Sequence, residues 1–111
     1  MQYLFFIATD ADPDPDGAQD NTIEAWVEEG ERRGIRQMGD ALRPPADATT
    51  VRVRKGELLI TDGPFAESKE WIAGFDVIEC ADLDEAIDYA SRHPMAHRGR
   101  IEIRPFHVAE G

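Results

Sequence analysis

The chain has 111 residues, with 12 basic and 23 acidic side chains and a formal net charge of −11. An acidic excess of that size repels a phosphate backbone and argues against a nucleic-acid partner. The opening run MQYLFFIA is too short for a membrane span and has no basic flank for a signal peptide. A lone cysteine, Cys80, rules out an intrachain disulfide and suits a reducing, cytoplasmic setting. A length of 111 residues with 41% hydrophobic residues predicts one domain, 1–111, with its own core and no need of a metal staple.

Residues 2–8 predict an apolar strand at the centre of a sheet. Residues 10–20 read as a loop of Asp, Pro and Gly. Its Asp12-Pro13-Asp14-Pro15-Asp16-Gly17 copies the start of a calcium loop. The twelfth position is Ile23 rather than a bidentate Glu, so no calcium site is expected. A helix starts near Asn21, which can cap it with Glu24 three residues on, and Ile23, Trp26, Val27 and Gly30 form its apolar stripe. Glu28–Arg32 and Glu29–Arg33 are spaced as ion pairs along it, and Gly34 ends it.

A strand follows over 35–42, stopped by Arg43-Pro44-Pro45. Thr50–Arg54 and Glu57–Thr61 make a hairpin about Lys55-Gly56. Its two-residue turn sets Arg54 against Glu57, Val53 against Leu58 and Val51 against Ile60. Another strand covers 72–80. A second helix opens at Asp82, with Glu85 in capping-box spacing. It carries the stripe Leu83, Ala86, Ile87, Ala90 and closes at Pro94. Arg100–Arg104 is the last strand. With the hairpin set aside, the order is β-α-β-β-α-β, the ferredoxin-like α+β pattern with both helices on one face of an antiparallel sheet.

Charge is uneven along the chain. Nine acids and no Lys or Arg lie between Asp10 and Glu31, whereas 92–107 holds four Arg and three His against Glu102. Two readings fit: solvated surface patches, or pairing of the two regions across a subunit boundary.

Several segments together resemble one family. They are Tyr3–Ile7, Leu42-Arg43-Pro44-Pro45, Thr49–Arg54, the nine residues DGPFAESKE at 62–70, Gly74-Phe75, Asp82–Ala86, His93-Pro94 and Ile101–Pro105. Over residues 1–106 the chain resembles the DGPF branch of the YCII-related family. The resemblance implies a homodimeric α+β barrel, two ferredoxin-like units packed sheet against sheet. The family's biochemical role is largely unassigned. Some relatives are encoded beside, or fused to, sigma factors of the extracytoplasmic-function type. The wider family is similar in fold to muconolactone isomerase, and some members carry a His–Asp pair suggestive of an enzyme. Here the histidines are His93, His97 and His107, none in the first helix or second strand, so that pair is not carried over.

The candidate site residues follow from loop chemistry and strand phase. The segment Asp62-Gly63-Pro64-Phe65 is dense in turn residues, with Glu67 and Lys69 after it. Asp62 reads as a cap for the turn or as a general base beside Phe65. Glu102 and Arg104 share the strand face opposite Ile101 and Ile103; the isoleucines should face the helices and the charged pair a dimer cleft. Asp40 and Asp76 sit inside strands, where a charge is costly unless paired or in a cavity. The expected ligand is a small anionic or polar molecule. No P-loop, dinucleotide fingerprint or zinc spacing appears, so no cofactor is expected. His93, before Pro94, reads as a partial cation at a helix end. Cys80 has no cation to activate it. Three roles stay open: a small-molecule binding or accessory domain, a cofactorless acid–base enzyme of isomerase or lyase type, and a protein-interaction module.

Overall fold

Tyr3, Phe5 and Ile7 alternate with Leu4, Phe6 and Ala8 along β1 (Gln2–Thr9), and none of the six is exposed. A strand apolar on both sides belongs in the middle of a sheet. In the computed structural model, which describes residues 1–14, 22–64 and 71–107, it sits there. It pairs antiparallel with β5 (Ile72–Glu79) on one side and β6 (Gly99–Pro105) on the other, while β2 (Arg36–Ala41) adds beyond β5. The sheet order β2-β5-β1-β6 is that of a ferredoxin-like α+β fold once the hairpin β3 (Thr49–Arg54) and β4 (Glu57–Asp62) is set apart as a two-stranded sheet.

The hairpin has the register its sequence predicts, Arg54 against Glu57, Val53 against Leu58 and Val51 against Ile60. Lys55 and Gly56 both take positive φ, 52° and 78°, as a type I′ turn requires. Its apolar face is not covered within the subunit. Val51, Val53, Leu58 and Ile60 are 58–61% exposed.

α1 (Ile23–Arg32) begins one residue later than expected. Its cap is Thr22, whose hydroxyl accepts from the Ala25 amide at 3.1 Å; Asn21 lies outside the described residues. α2 (Leu83–Ser91) has the expected cap, with Glu85 N donating to Asp82 Oδ1 at 2.9 Å. Its buried face is Ala86, Tyr89 and Ala90; Leu83 and Ile87 are about half exposed, so the stripe lies one position round from the expected one. The reason is Tyr89. Its ring is large enough to draw the helix face onto itself, and a search for aliphatic spacing passes over it. Pro94 does not simply end α2. It opens the short turn α3 (Met95–Arg98) that leads into β6.

The two main helices are joined through a pair of aromatic rings. Trp26 and Tyr89 stack with centroids 4.1 Å apart and planes at 12°. Trp26 Nε1–H donates to the Tyr89 carbonyl at 2.8 Å, and the Tyr89 hydroxyl donates back to the Trp26 carbonyl at 2.7 Å. Both side chains are fully buried against Phe5 and Ile78 of the sheet. Truncating a ring buried to this degree costs about 3–5 kcal/mol.

The acidic and basic segments meet within the chain at several of the described residues. Arg92 Nη1 pairs with Glu29, Arg100 lies 3.9 Å from Asp10, and the Asp14 amide donates to the His97 carbonyl at 3.0 Å. Glu29 therefore reaches mainly for Arg92 of α2, with its expected i,i+4 partner Arg33 farther off at 3.9 Å.

Gly30 gives a sharp test of the helix contact. Alanine in a helix interior ordinarily stabilises by up to about 1 kcal/mol relative to glycine. A Cβ at Gly30 would lie 1.9 Å from the Tyr89 hydroxyl and 2.6 Å from its Cζ. Gly30→Ala is expected to destabilise the fold by about 1–3 kcal/mol in urea unfolding. A stabilised Gly30→Ala variant would show that the helices do not meet this closely.

Candidate functional site

Between the helices and the sheet a cavity of about 440 Å³ opens toward the β2 edge. Its apolar wall includes Ile7, Ile23, Val27 and Met95, and its polar wall is Arg36, Asp76 and His93. Asp76 and His93, 5% and 4% exposed, are the buried polar or charged residues among those described.

Asp76 faces the helices because β5 presents Gly74, Asp76 and Ile78 to the core and Ala73, Phe75 and Val77 to the other side. Arg36 reaches the same face through a bulge. The β2–β5 register slips between Arg36 and Met38, leaving Gln37 as the extra residue. Simple alternation from Met38 and Asp40 would send Arg36 to the opposite face; the slip sets it against Ile78, on the core side. Arg36 Nε then donates to Asp76 Oδ1 at 2.7 Å, and Nη1 lies 3.3 Å from Glu31 Oε1. Gly39 makes the room. A Cβ there would fall 2.1 Å from Asp76 Oδ1 and 2.7 Å from Arg36 Nη2.

His93 enters from the end of α2, edge-on to the Trp26 ring at 4.5 Å between centroids. The Met95 amide donates to its Nδ1 at 2.9 Å, so Nδ1 carries no proton and the neutral ring keeps its hydrogen on Nε2. Burial pushes its pKa down to about 4, and the positive charge of Arg36 adds to the effect. The expectation that His93 is a partial cation is therefore corrected: it is a neutral, buried donor. Burial acts on Asp76 in the other sense. It raises the carboxyl pKa by more than the bond and charge of Arg36 lower it.

The candidates read from sequence are divided by the sheet. Asp76 lies in the cavity and Asp40 at its rim, where Asp40 Oδ1 accepts from the Ala41 amide at 2.8 Å. Glu102 and Arg104 are on the far side, on exposed β6, bonded to each other at 2.7 Å with the Arg104 guanidinium 5.4 Å from the Phe6 ring centre. Ile101 and Ile103 pack toward the core, as their phase predicts. Asp62 ends β4 away from the cavity lining. Its expected cap role is not seen at Gly63, whose amide donates to the Ala48 carbonyl at 2.6 Å, while Thr50 Oγ1 donates to the Gly63 carbonyl at 2.8 Å. Phe65, Glu67 and Lys69 lie outside the described residues, as do positions 15–21 of the acidic loop. Cys80 is buried, and burial with the nearby Glu85 raises its pKa, as expected of an unactivated thiol.

The model of the YCII-related domain matches residues 1–108. The chain belongs to the YCII-related family. It is also similar to an uncharacterised protein of Rhizobium meliloti (strain 1021), 35% identical over 103 residues that cover 78% of this chain and 83% of that one. Among the described residues of this YCII-related chain, no helix is long and apolar enough to cross a membrane.

Sequence reading missed Arg36 and set His93 aside. Arg36 was hidden by the bulge, which alternation cannot foresee. The signal that could have exposed it is Gly39, since a glycine inside a strand often marks a bulge or a close approach.

The depressed His93 pKa makes a pH test possible. In the unfolded chain the ring takes a proton near pH 6.5, whereas in the folded chain it resists until about 4. The unfolded state therefore binds more protons in that window, and this part of the stability is present above 6.5 and lost as the pH falls toward 4. The loss is roughly 3 kcal/mol when complete. Asp76, with its raised pKa, works in the opposite sense, favouring the fold as pH falls. Urea unfolding of the native chain and of His93→Leu at the two ends of the window should show the native chain losing stability relative to the variant on acidification. Parallel profiles would remove the buried neutral imidazole from the picture.

Proposed function

We propose that this YCII-related chain is a small-molecule binding or accessory domain, and that its ligand lies in the cavity beneath the helices. One observation supports this above the rest. An ion pair, a neutral histidine donor and an apolar wall converge on a single concave site, the usual composition of a ligand pocket. The link to a sigma-factor pathway rests on the family resemblance and adds no chemistry to the cavity. Ligand-observed NMR with a library of small polar fragments tests the reading. Val27→Trp fills the cavity from α1, so fragments that broaden with the native chain should cease to do so with the variant. A library whose signals respond equally to both chains would refute it.

A second reading, a cofactorless acid–base enzyme in the same cavity, is favoured by the contrast between Asp76 and His93. A carboxylate made more basic by burial stands on the same wall as an imidazole held neutral with its proton on Nε2. Such a pair can take a proton from one atom of a substrate and offer one to another. Asp76 is the residue that would act as base, with Arg36 positioning it.

We also propose that two copies of the chain pack through the open face of the sheet. The support is the half-buried row Leu4, Phe6, Phe75 and Val77, with Met38 beside it at 56% exposed. The uncovered hairpin face offers a second copy further apolar surface. Sedimentation equilibrium should give twice the 12.4 kDa chain mass at micromolar concentration, and Phe6→Glu should return it to the single value. A native chain that sediments at the single mass would exclude the dimer.

A further inference from the structure

Charge and hydrogen-bond capacity narrow the ligand class, on the reading that the cavity is the binding site. The cavity wall has one cation, Arg36, and one buried acid, Asp76; Asp40 meets the rim, but its position opposite Phe75 turns its side chain to the other face of the sheet. The cation is already spent: Asp76 is 2.7 Å from its Nε and Glu31 is 3.3 Å from its Nη1. His93 brings no charge, because its Nδ1 accepts the Met95 amide hydrogen. A carboxylate or phosphate entering here would meet a guanidinium already opposed by two carboxylates, with the buried Asp76 carboxylate beside it.

Three polar atoms on this wall keep spare capacity. Among the described residues, Asp76 Oδ2 accepts no hydrogen bond, Arg36 Nη2 donates none, and His93 Nε2–H finds no acceptor. None of the three is sealed off. The fully enclosed side-chain polar atom left without a partner among the described residues is a different one, Glu29 Oε2. The cavity thus offers one strong acceptor and two donors, with an apolar remainder formed by Ile7, Ile23, Val27 and Met95. Spare buried capacity of this kind rejects a ligand that cannot fill it.

We propose that the cavity takes an uncharged molecule carrying an acceptor and a donor close together on an apolar body, of the carboxamide, lactam or hydroxy-ketone class, and that it discriminates against carboxylates. The acceptor oxygen meets His93 Nε2–H and Arg36 Nη2, and the donor meets Asp76 Oδ2. The sequence-based expectation of an anionic or polar ligand is thereby narrowed to its polar half.

Phenylacetamide and phenylacetate are a suitable pair of probes, alike in shape and different in charge near neutral pH. Each is titrated into the nitrogen-15-labelled chain, and the shifts of the His93 Nε2 and Trp26 indole signals are followed. The amide is expected to bind at least about tenfold more tightly than the acid. In Asp76→Asn, which removes the buried negative charge and frees Arg36, that gap should close or reverse. If the acid binds the native chain as well as the amide or better, the neutral-ligand inference is wrong and the cavity reading survives. If neither probe moves either signal at millimolar concentration, both are wrong. The comparison within the native chain stands even if the variant fails to fold.

Discussion

The contact between Trp26 and Tyr89 holds the rest of the structure in place. Each residue is at once donor and acceptor to the other's helix, and the two rings stack between those bonds. A buried indole N–H or phenol O–H without a partner would be costly, so each ring can be fully buried only where the other is present. This fixes the separation and the rotation of α1 and α2 on the sheet. Gly30 is the complement of that constraint, the position where α1 gives up a side chain so that the Tyr89 hydroxyl can reach a carbonyl. The cavity is a by-product of the same geometry. The rings occupy the core at the Phe5 and Ile78 end of the sheet, and the space toward Gly74 and Ala41 is left unfilled.

The polar wall of that cavity is a set of compromises between burial and pairing. An isolated buried carboxylate would take up a proton; Arg36 offsets part of that tendency without overcoming it. A buried imidazole near a guanidinium cannot become charged at neutral pH, and the Met95 amide settles which nitrogen holds its one proton. The ion pair contributes little net stability in such a place, since desolvation offsets its attraction. Its persistence is easier to understand as an arrangement of donors and acceptors than as a means of holding the fold together. Replacing a buried ion pair with hydrophobic residues of similar volume is often neutral or stabilising in proteins.

Much of the architecture could be read from the chain because local signals agree with the global fold. The apolar β1, the Asp82 cap, the Lys55-Gly56 turn and the phase of Ile101 and Ile103 each gave the structure that formed. The site was less legible for particular reasons. Asp76 stood out as a charge inside a strand, and it proves to be in the cavity. Its partner did not, because the residue at Gln37 reverses the facing of everything before it in β2. His93 looked like a helix-end cation because sequence cannot show that α3 turns its amide onto the ring. Glu102 and Arg104 lie on the open face that the phase of β6 predicts, opposite Phe6 and Leu4, and so apart from the cavity beneath the helices.

The bulge at Gln37 has an effect on the sheet margin as well as on Arg36. β2 and β6 are the outer strands, and a regular outer strand is a template onto which a foreign strand can add. At the β2 margin the slipped register interrupts the even row of free amides and carbonyls that such addition requires. At the β6 margin Arg100, Glu102 and Arg104 alternate as exposed charges and Pro105 withholds an amide. The irregularity that aims an arginine inward therefore also disfavours strand addition at the β2 margin of the four-stranded sheet, one fault in register serving both the cavity and the edge.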